Sequence, residues 1–215
     1  MDVLRLRRPD LPVDDRWGLV RRFFSQDVSS GRPGSYDSYI ESGTSPTNRI
    51  VAEDVIIINT FMSARSPHSD WAELIARGDV PELAAISPSW DLYLTSDEEW
   101  ERERVSDRLT DVFAAVRGNR IGVSRATKVL HIKRPALIPV CDSYVLGLMG
   151  IPDAGGKGAV ALIEHLRLLR TDLMPTLLDL QERLRGAGYD RSLVRITDAL
   201  IWGSYPDTWL QRSAD

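Results

Sequence analysis

Six basic side chains lie between residues 117 and 134, with no acidic residue among them. They are Arg117, Arg120, Arg125, Lys128, Lys133 and Arg134. The whole chain of 215 residues carries a formal net charge of −4, so this run is locally positive in an acidic protein. Local positive charge of this kind attracts phosphate groups. We therefore expect a surface that binds an anion here, with a solvated helix face as the alternative interpretation.

A turn that contains two glycines, at residues 118–124, lies inside this basic run. Glycine adopts positive φ values and leaves backbone N–H groups accessible. A helix that begins after the turn adds the partial positive charge of its N-terminus. Gly122 and the helix predicted at residues 125–133 are therefore expected to form a phosphate site.

Asp142 is the candidate catalytic residue. It follows an apolar extended segment, residues 136–140, and stands at the start of a short helix predicted at residues 142–149. A carboxylate in this place can stabilise an oxocarbenium-like sugar or activate a water molecule. It can equally cap the helix by accepting backbone N–H groups. The sequence leaves both roles open.

Other polar residues are interpreted as structural. His131 is expected to be packed or at the surface, and Cys141 is expected to be a small buried residue. Arg195 and Asp198 lie one helical turn apart, which favours a surface ion pair, with a place in a central cleft as the alternative. Asn59 interrupts an apolar helix and needs a hydrogen-bond partner if it is buried.

Composition limits the class of protein. A single cysteine excludes an internal disulfide framework, a cysteine-rich zinc site and an iron–sulfur cluster, and the three histidines are too scattered to predict a metal site. We expect no cofactor.

No apolar stretch is long enough to span a membrane and no signal peptide is evident, so a cytoplasmic protein without membrane contact is expected. The net negative charge argues against DNA binding over the whole surface, so any contact with DNA must come from the basic run.

Apolar periodicity predicts an all-α, multi-helix globular domain. Residues 25–48 are rich in Ser, Gly, Thr and Pro and are predicted to form a long surface loop, with at most a turn of helix at residues 36–40. The chain is interpreted as one domain over residues 1–215, with residues 109–150 as a central helix-hairpin-helix core. The other predicted helices cover residues 14–24, 52–64, 69–77, 80–86, 96–117, 157–170, 174–185 and 191–202.

The order of the central motifs resembles the helix-hairpin-helix DNA glycosylase superfamily. After the glycine turn come Ala126, Thr127 and Lys128, then Pro135, then the sequence PVCDSYV at residues 139–145. In that superfamily the hairpin grips the DNA backbone, and an aspartate at the start of the next helix is catalytic. The resemblance implies that Gly122 belongs to the hairpin and that Asp142 is the catalytic aspartate. The lysine position of bifunctional members falls on Ala126, so the resemblance implies a monofunctional glycosylase.

Most of the chain also resembles an uncharacterised, mainly actinobacterial family. The shared pattern is AEDV, then ATKVLHIKRPALIPVCDS, then LVRITDALIW near the end. This second resemblance implies no activity.

Three functions are compatible with the sequence. The first is a DNA-binding protein of helix-hairpin-helix type that works as a monofunctional base-excision glycosylase. The second is a non-catalytic interaction module on the same scaffold. The third is an enzyme acting on a small anionic or nucleoside-like substrate, with the basic hairpin holding the anion.

Overall fold

The computed structural model describes residues 16–29, 36–45, 47–62, 64–117, 120–152 and 156–203. Within these ranges the chain is helical, with one 3-10 turn at His68–Asp70 and one isolated β-bridge between Arg49 and Asp79. The predicted all-α fold class is confirmed. The helices are α1 (Arg16–Ser29), α2 (Tyr36–Ser42), α3 (Ala52–Phe61), α4 (Ala72–Arg77), α5 (Pro81–Ala84), α6 (Asp97–Arg102), α7 (Val105–Val116), α8 (Val123–Lys133), α9 (Ser143–Leu148), α10 (Gly156–Leu168), α11 (Arg170–Gly186) and α12 (Leu193–Gly203).

The helix predicted over residues 96–117 is in fact two helices. Ser96 is the N-cap of the first, and its side chain accepts the Glu99 N–H at 3.1 Å. Arg104, however, adopts a left-handed backbone with φ at 52°, and this residue separates α6 from α7. A non-glycine residue in that region interrupts regular helix geometry, which apolar spacing alone does not reveal.

The loop predicted over residues 25–48 is partly wrong, because α1 continues to Ser29 and α2 occupies residues 36–42. Residues 30–35 and 46 of that segment lie outside the described residues. Tyr36 and Asp37 anchor α2, since both are buried and Asp37 accepts two hydrogen bonds from Arg195, at 2.7 and 3.0 Å. A bidentate ion pair with α12 therefore fixes a segment whose composition is typical of a loop.

The helix predicted from residue 191 begins two residues later, at Leu193. Ser192 precedes it, and the Ser192 hydroxyl accepts the Arg195 N–H at 3.1 Å. The same hydroxyl donates to the Pro135 carbonyl at 2.9 Å, so it joins α12 to the segment that follows α8. The cap is therefore set by a tertiary contact that the local sequence does not contain.

Helix α8 runs through the middle of the protein. It packs against α3, α7 and α10, and every residue from Ala126 to Lys133 is buried. The buried apolar side chains of the described residues form one contiguous core around it. No helix in the described ranges has the length and apolarity needed to cross a membrane.

Candidate functional site

The exposed part of the basic run lies where α7 ends and α8 begins. Gly122 is the N-cap of α8 in extended backbone, and a Cβ atom added to it would meet nothing within 4 Å. Arg117 is exposed, and the Arg120 side chain keeps 77% of its surface accessible. These three residues are open to a ligand. Gly118 and Asn119, which complete the predicted hairpin, lie outside the described residues.

The start of α10 lies beside Arg117. A Cβ atom placed on Gly156 would be 3.0 Å from the Phe113 Cβ and 3.5 Å from the Arg117 Cδ. Only glycine allows this close approach between α10 and α7 without displacing a neighbour. The N-terminal end of α10 therefore adds its partial positive charge to the same surface as Arg117.

Arg125 is half-buried and already has partners. Its guanidinium donates to the carbonyl oxygens of Ala64, Arg65 and Arg120 and pairs with the Asp70 carboxylate at 3.1 Å. Arg120 lies 3.6 Å from the same carboxylate. Asp70 thus neutralises part of the predicted positive charge, a contact between distant segments that the run itself does not show.

Lys128 is buried, and its Nζ donates to the Met62 carbonyl at 2.7 Å. Burial lowers the pKa of Lys128, and the nearby Asp142 carboxylate opposes that shift. Lys128 therefore contributes a buried, hydrogen-bonded amine close to Asp142 and does not extend the exposed surface.

Lys133 and Arg134 are also buried. Lys133 pairs with Asp54 at 2.5 Å and donates to the Ser45 hydroxyl. Arg134 uses all five of its N–H groups on oxygen atoms, and its partners are the carbonyls of Thr47, Leu83, Ile86 and Lys133 and the Asn48 side chain. Neither side chain is available to a phosphate.

Lys128, Lys133 and Arg134 are therefore not part of the anion-binding surface expected over residues 117–134. The reason is that α8 is a central helix, so its basic side chains satisfy carbonyl groups and carboxylates of the packed neighbours. What remains accessible is the start of the run, at Arg117, Arg120 and Gly122.

Asp142 is the N-cap of α9. Its Oδ1 accepts the N–H groups of Tyr144 and Val145, at 3.0 and 2.9 Å. Among the described residues none donates a hydrogen bond to Oδ2. The predicted capping role is confirmed, and the cap leaves one carboxylate oxygen for another partner.

Asp142 lines an open surface cavity of about 280 Å³, a volume that includes the solvent at its mouth. The wall consists of one acidic, two aromatic and three aliphatic residues: Asp142, Tyr144, Val145, Leu148, Ile201 and Trp202. Tyr144 is 63% exposed. Such a lining can hold a flat group that directs an N–H donor or a positive charge at the carboxylate.

The loop that carries Asp142 is held by side chains from two helices. Thr127 of α8 donates to the Cys141 carbonyl at 2.9 Å and accepts the Cys141 N–H at 3.0 Å. The Asp198 carboxylate of α12 accepts the Val140 N–H, at 3.2 Å to Oδ1 and 3.1 Å to Oδ2. These hydrogen bonds fix the backbone of Val140 and Cys141, the two residues before Asp142.

Arg195 and Asp198 are paired, but the prediction that the pair lies at the surface is wrong. Both are buried, with 4.0 Å between the Arg195 Nη1 and the Asp198 Oδ2. Burial raises the pKa of Asp198 to about 7, although the Arg195 guanidinium and the Val140 N–H act against the shift. Asp198 is therefore a carboxyl group poised to titrate near neutrality, next to the loop of Asp142.

His131 and Cys141 are fully buried. Burial was predicted for Cys141, and of the two places expected for His131 the structure shows the packed one. The His131 ring stacks on Tyr36 at 5.8 Å, and its Nδ1 lies 2.6 Å from the Ile138 carbonyl, which assigns the proton to Nδ1. Burial and the Arg195 charge lower the pKa of His131 to about 4. A neutral, enclosed imidazole of this kind packs the centre and does not reach the cavity lining.

Asn59 has the partner that it needs, because its side chain exchanges two hydrogen bonds of 2.7 Å with the Ser66 backbone. In the part of the chain that the structure describes, no three His, Cys, Asp or Glu side chains are grouped so that they could hold a metal ion.

Sequence reasoning missed the positioning contacts of Thr127 and Asp198 and the place of Trp202 in the cavity wall. A signal for Asp198 was present, because the stretch LVRITDALIW is apolar on nearly every side. A helix of that kind is buried all round, so its polar residues must be buried as well. Thr127 and Trp202 carry no comparable signal, since their partners are distant in sequence.

No curated protein matches the chain, and neither does any solved structure. A family described as a family of unknown function (DUF6308) matches residues 17–204. The match includes α8, the Asp142 loop and α12, and the chain belongs to this family of unknown function.

Proposed function

We propose that the protein binds DNA at the start of α8 and that Asp142 acts on an extruded nucleotide, as in a monofunctional DNA glycosylase. The observation that carries the proposal is the placement of Asp142. Its carboxylate caps α9 through Oδ1, keeps Oδ2 without a hydrogen bond from any described residue, and lines a cavity that contains two aromatic side chains.

The DNA-binding part of the proposal rests on the exposed start of the basic run. Arg117 and Arg120 are exposed shortly before α8, whose N-cap, Gly122, is unobstructed. Backbone N–H groups at a helix N-terminus and arginine side chains are both phosphate ligands. Few such contacts predict modest, salt-dependent affinity, which suits a protein with a net charge of −4.

Helix α8 links this surface to the cavity. Thr127, which holds Cys141 beside Asp142, lies five residues after Gly122, a rise of about 7.5 Å along a helix. The start of α8 and the segment before Asp142 are therefore connected through one helix, and the proposal requires a bound strand to run from the first to the second. An extruded base could stack on Tyr144 or Trp202, since aromatic faces bind any base without sequence preference.

The reaction supported by this arrangement is hydrolysis of an N-glycosidic bond. The bond between the sugar C1′ and the base breaks, water adds to C1′, and the base leaves with a proton. The Asp142 carboxylate would stabilise the positive charge that develops on the sugar or take a proton from the attacking water. A Schiff-base step is not part of the proposal, because Ala126 occupies the lysine position implied by the resemblance.

The test compares a short duplex carrying a stable abasic-site analogue with the undamaged duplex across a salt series. Preference for the analogue, with affinity falling as salt rises, supports the proposal, and release of a modified base by the wild type but not by Asp142→Asn establishes the reaction. Arg183→Ala is the control in the binding and base-release measurements, because it removes an exposed arginine of α11 that is not part of the proposed site. The absence of binding at low salt would overturn the proposal.

A second candidate is an enzyme for a free nucleoside-like substrate. It is favoured by the burial of Lys128, Lys133 and Arg134, which leaves few positive charges for a DNA backbone. Binding of free nucleosides that depends on Asp142 and changes little with salt would favour this candidate.

A further inference from the structure

We propose that Asp198 is the positioning residue for Asp142: it ties the backbone directly before Asp142 to the helix that forms part of the cavity wall. The inference rests on the proposed role of Asp142. Asp198 itself does not line the cavity, so it acts through the Val140–Asp142 backbone and not on a substrate.

The first support is the geometry of the contact. Both oxygens of Asp198 are within hydrogen-bond distance of a single backbone N–H, that of Val140, and the residue is only 6% exposed. The nearest positive charge is the Arg195 guanidinium, whose Nη1 lies 4.0 Å from the Asp198 Oδ2. This guanidinium donates hydrogen bonds to both carboxylate oxygens of Asp37. The contact between Asp198 and Val140 is therefore the principal hydrogen bond of this carboxylate.

The second support is the position of Asp198 on α12. Ile201 and Trp202, which line the cavity, lie three and four residues later, on the same side of the helix as Asp198. One contact thus sets the distance between the α12 part of the wall and the loop with Asp142. Thr127 fixes the other side of the loop through Cys141, so the backbone before Asp142 is held from two directions.

The third support concerns charge. An uncharged amide oxygen would accept the Val140 N–H equally well, and a buried carboxylate is more costly than a buried amide. Burial raises the pKa of Asp198, Arg195 and the Val140 N–H lower it, and Asp37 and Asp142 raise it. The electrostatic interaction between the two carboxyl groups shows that Asp198 and Asp142 lie close to each other.

The test follows the backbone amides of the full-length protein by NMR, with no nucleic acid present. The amides of Tyr144 and Val145 report the position of the Asp142 carboxylate, since both donate to its Oδ1. In the wild type we expect the Val140, Tyr144 and Val145 resonances to shift with a midpoint near pH 7, the value to which burial raises the pKa of Asp198. In Asp198→Asn this midpoint disappears, while Asp172→Asn, at an exposed position of α11, retains it.

A second variant tests the hydrogen bond itself. Asp198→Leu removes the acceptor, and we expect hydrogen exchange of the Val140, Tyr144 and Val145 amides to be at least tenfold faster, with the core amides of α8 unchanged. Unchanged Tyr144 and Val145 amides in both variants would overturn the proposal, even if stability falls. If the variants behave as expected but Asp142→Asn affects no reaction or binding, the positioning role stands and the proposed function fails.

Discussion

The ammonium group of Lys133 lies 2.5 Å from the carboxylate of Asp54, and both side chains are completely buried. The pair joins α8 to α3. Asp54 also accepts hydrogen bonds from Tyr39, Ser45 and the Val51 N–H, so the carboxylate is fully satisfied. A charge that the sequence assigned to phosphate binding is thus part of the contact between two core helices.

Lys133→Met should destabilise the protein strongly. It leaves the Asp54 carboxylate buried without a counter-charge, and breaking a buried pair in this way costs about 3–5 kcal/mol. The double variant Lys133→Met, Asp54→Asn should recover a large part of the loss, because no unpaired charge remains. Urea unfolding measures both free energies.

The matched control is the exposed pair of Arg104 and Asp107, whose side chains keep 76% and 61% of their surface. Arg104→Ala removes a pair of that kind, which contributes about 0–1 kcal/mol. Equal losses for Lys133→Met and Arg104→Ala would contradict the importance of burial. A double variant that is less stable than Lys133→Met alone would also contradict it.

Arg134→Lys should also destabilise, although it preserves the charge. Arg134 donates to five oxygen atoms of the surrounding segments, and a lysine has three donors on one nitrogen. At least two buried acceptors lose their partner, at roughly 1–3 kcal/mol each. The exposed Arg183→Lys is the control in the same unfolding experiment, and a similar small effect of both changes would contradict the prediction.

Apolar spacing predicted the all-α class and most helices because it reports which face of a helix is buried. It could not predict the burial of Lys128, Lys133 and Arg134, because their partners are carbonyl groups and a carboxylate from segments far along the chain. Asp142 was identified by its position before a helix, and its cap follows from local geometry. Its cavity was not predictable, since Trp202 comes from a helix distant in sequence.

The dependence of stability on pH should contain two opposing contributions. Burial and Arg195 lower the pKa of His131 from 6.5 to about 4, so between these values the unfolded state binds a proton that the folded state does not. This contribution is present above pH 6.5 and is lost as the pH falls towards 4. Burial raises the pKa of Asp198 from 3.8 to about 7, so its contribution is fully present below pH 3.8 and is lost as the pH rises towards 7.

Single variants at His131 and Asp198 measure the two contributions to the pH dependence of stability separately. Relative to the wild type, His131→Gln should become progressively less stable as the pH rises from 4 to 6.5, by up to about 1.4 kcal/mol per pH unit. Asp198→Asn should change in the opposite direction over the same range. Chemical unfolding at half-unit pH steps measures both differences, and a difference that does not vary with pH would contradict the corresponding shift.

Arg120→Ala should weaken DNA binding and lower its dependence on salt. Each phosphate contact contributes about one unit to the slope of the logarithm of affinity against the logarithm of salt concentration. The Arg120 side chain is 77% exposed, whereas Lys133 is buried in its ion pair. Lys133→Met, measured under conditions where it is folded, should therefore leave the slope unchanged. An unchanged slope in Arg120→Ala would remove Arg120 from the interface.

Asp142→Asn and Asp142→Ala together separate the capping role from the chemical role. Asparagine is as good an N-cap as aspartate, so Asp142→Asn should keep the bonds to Tyr144 and Val145 and lose little stability. Alanine removes the cap and should cost about 1 kcal/mol. We expect both variants to lose base release, because neither has a carboxylate at the cavity. If only Asp142→Ala loses activity, the carboxylate serves the fold of α9 and not the reaction.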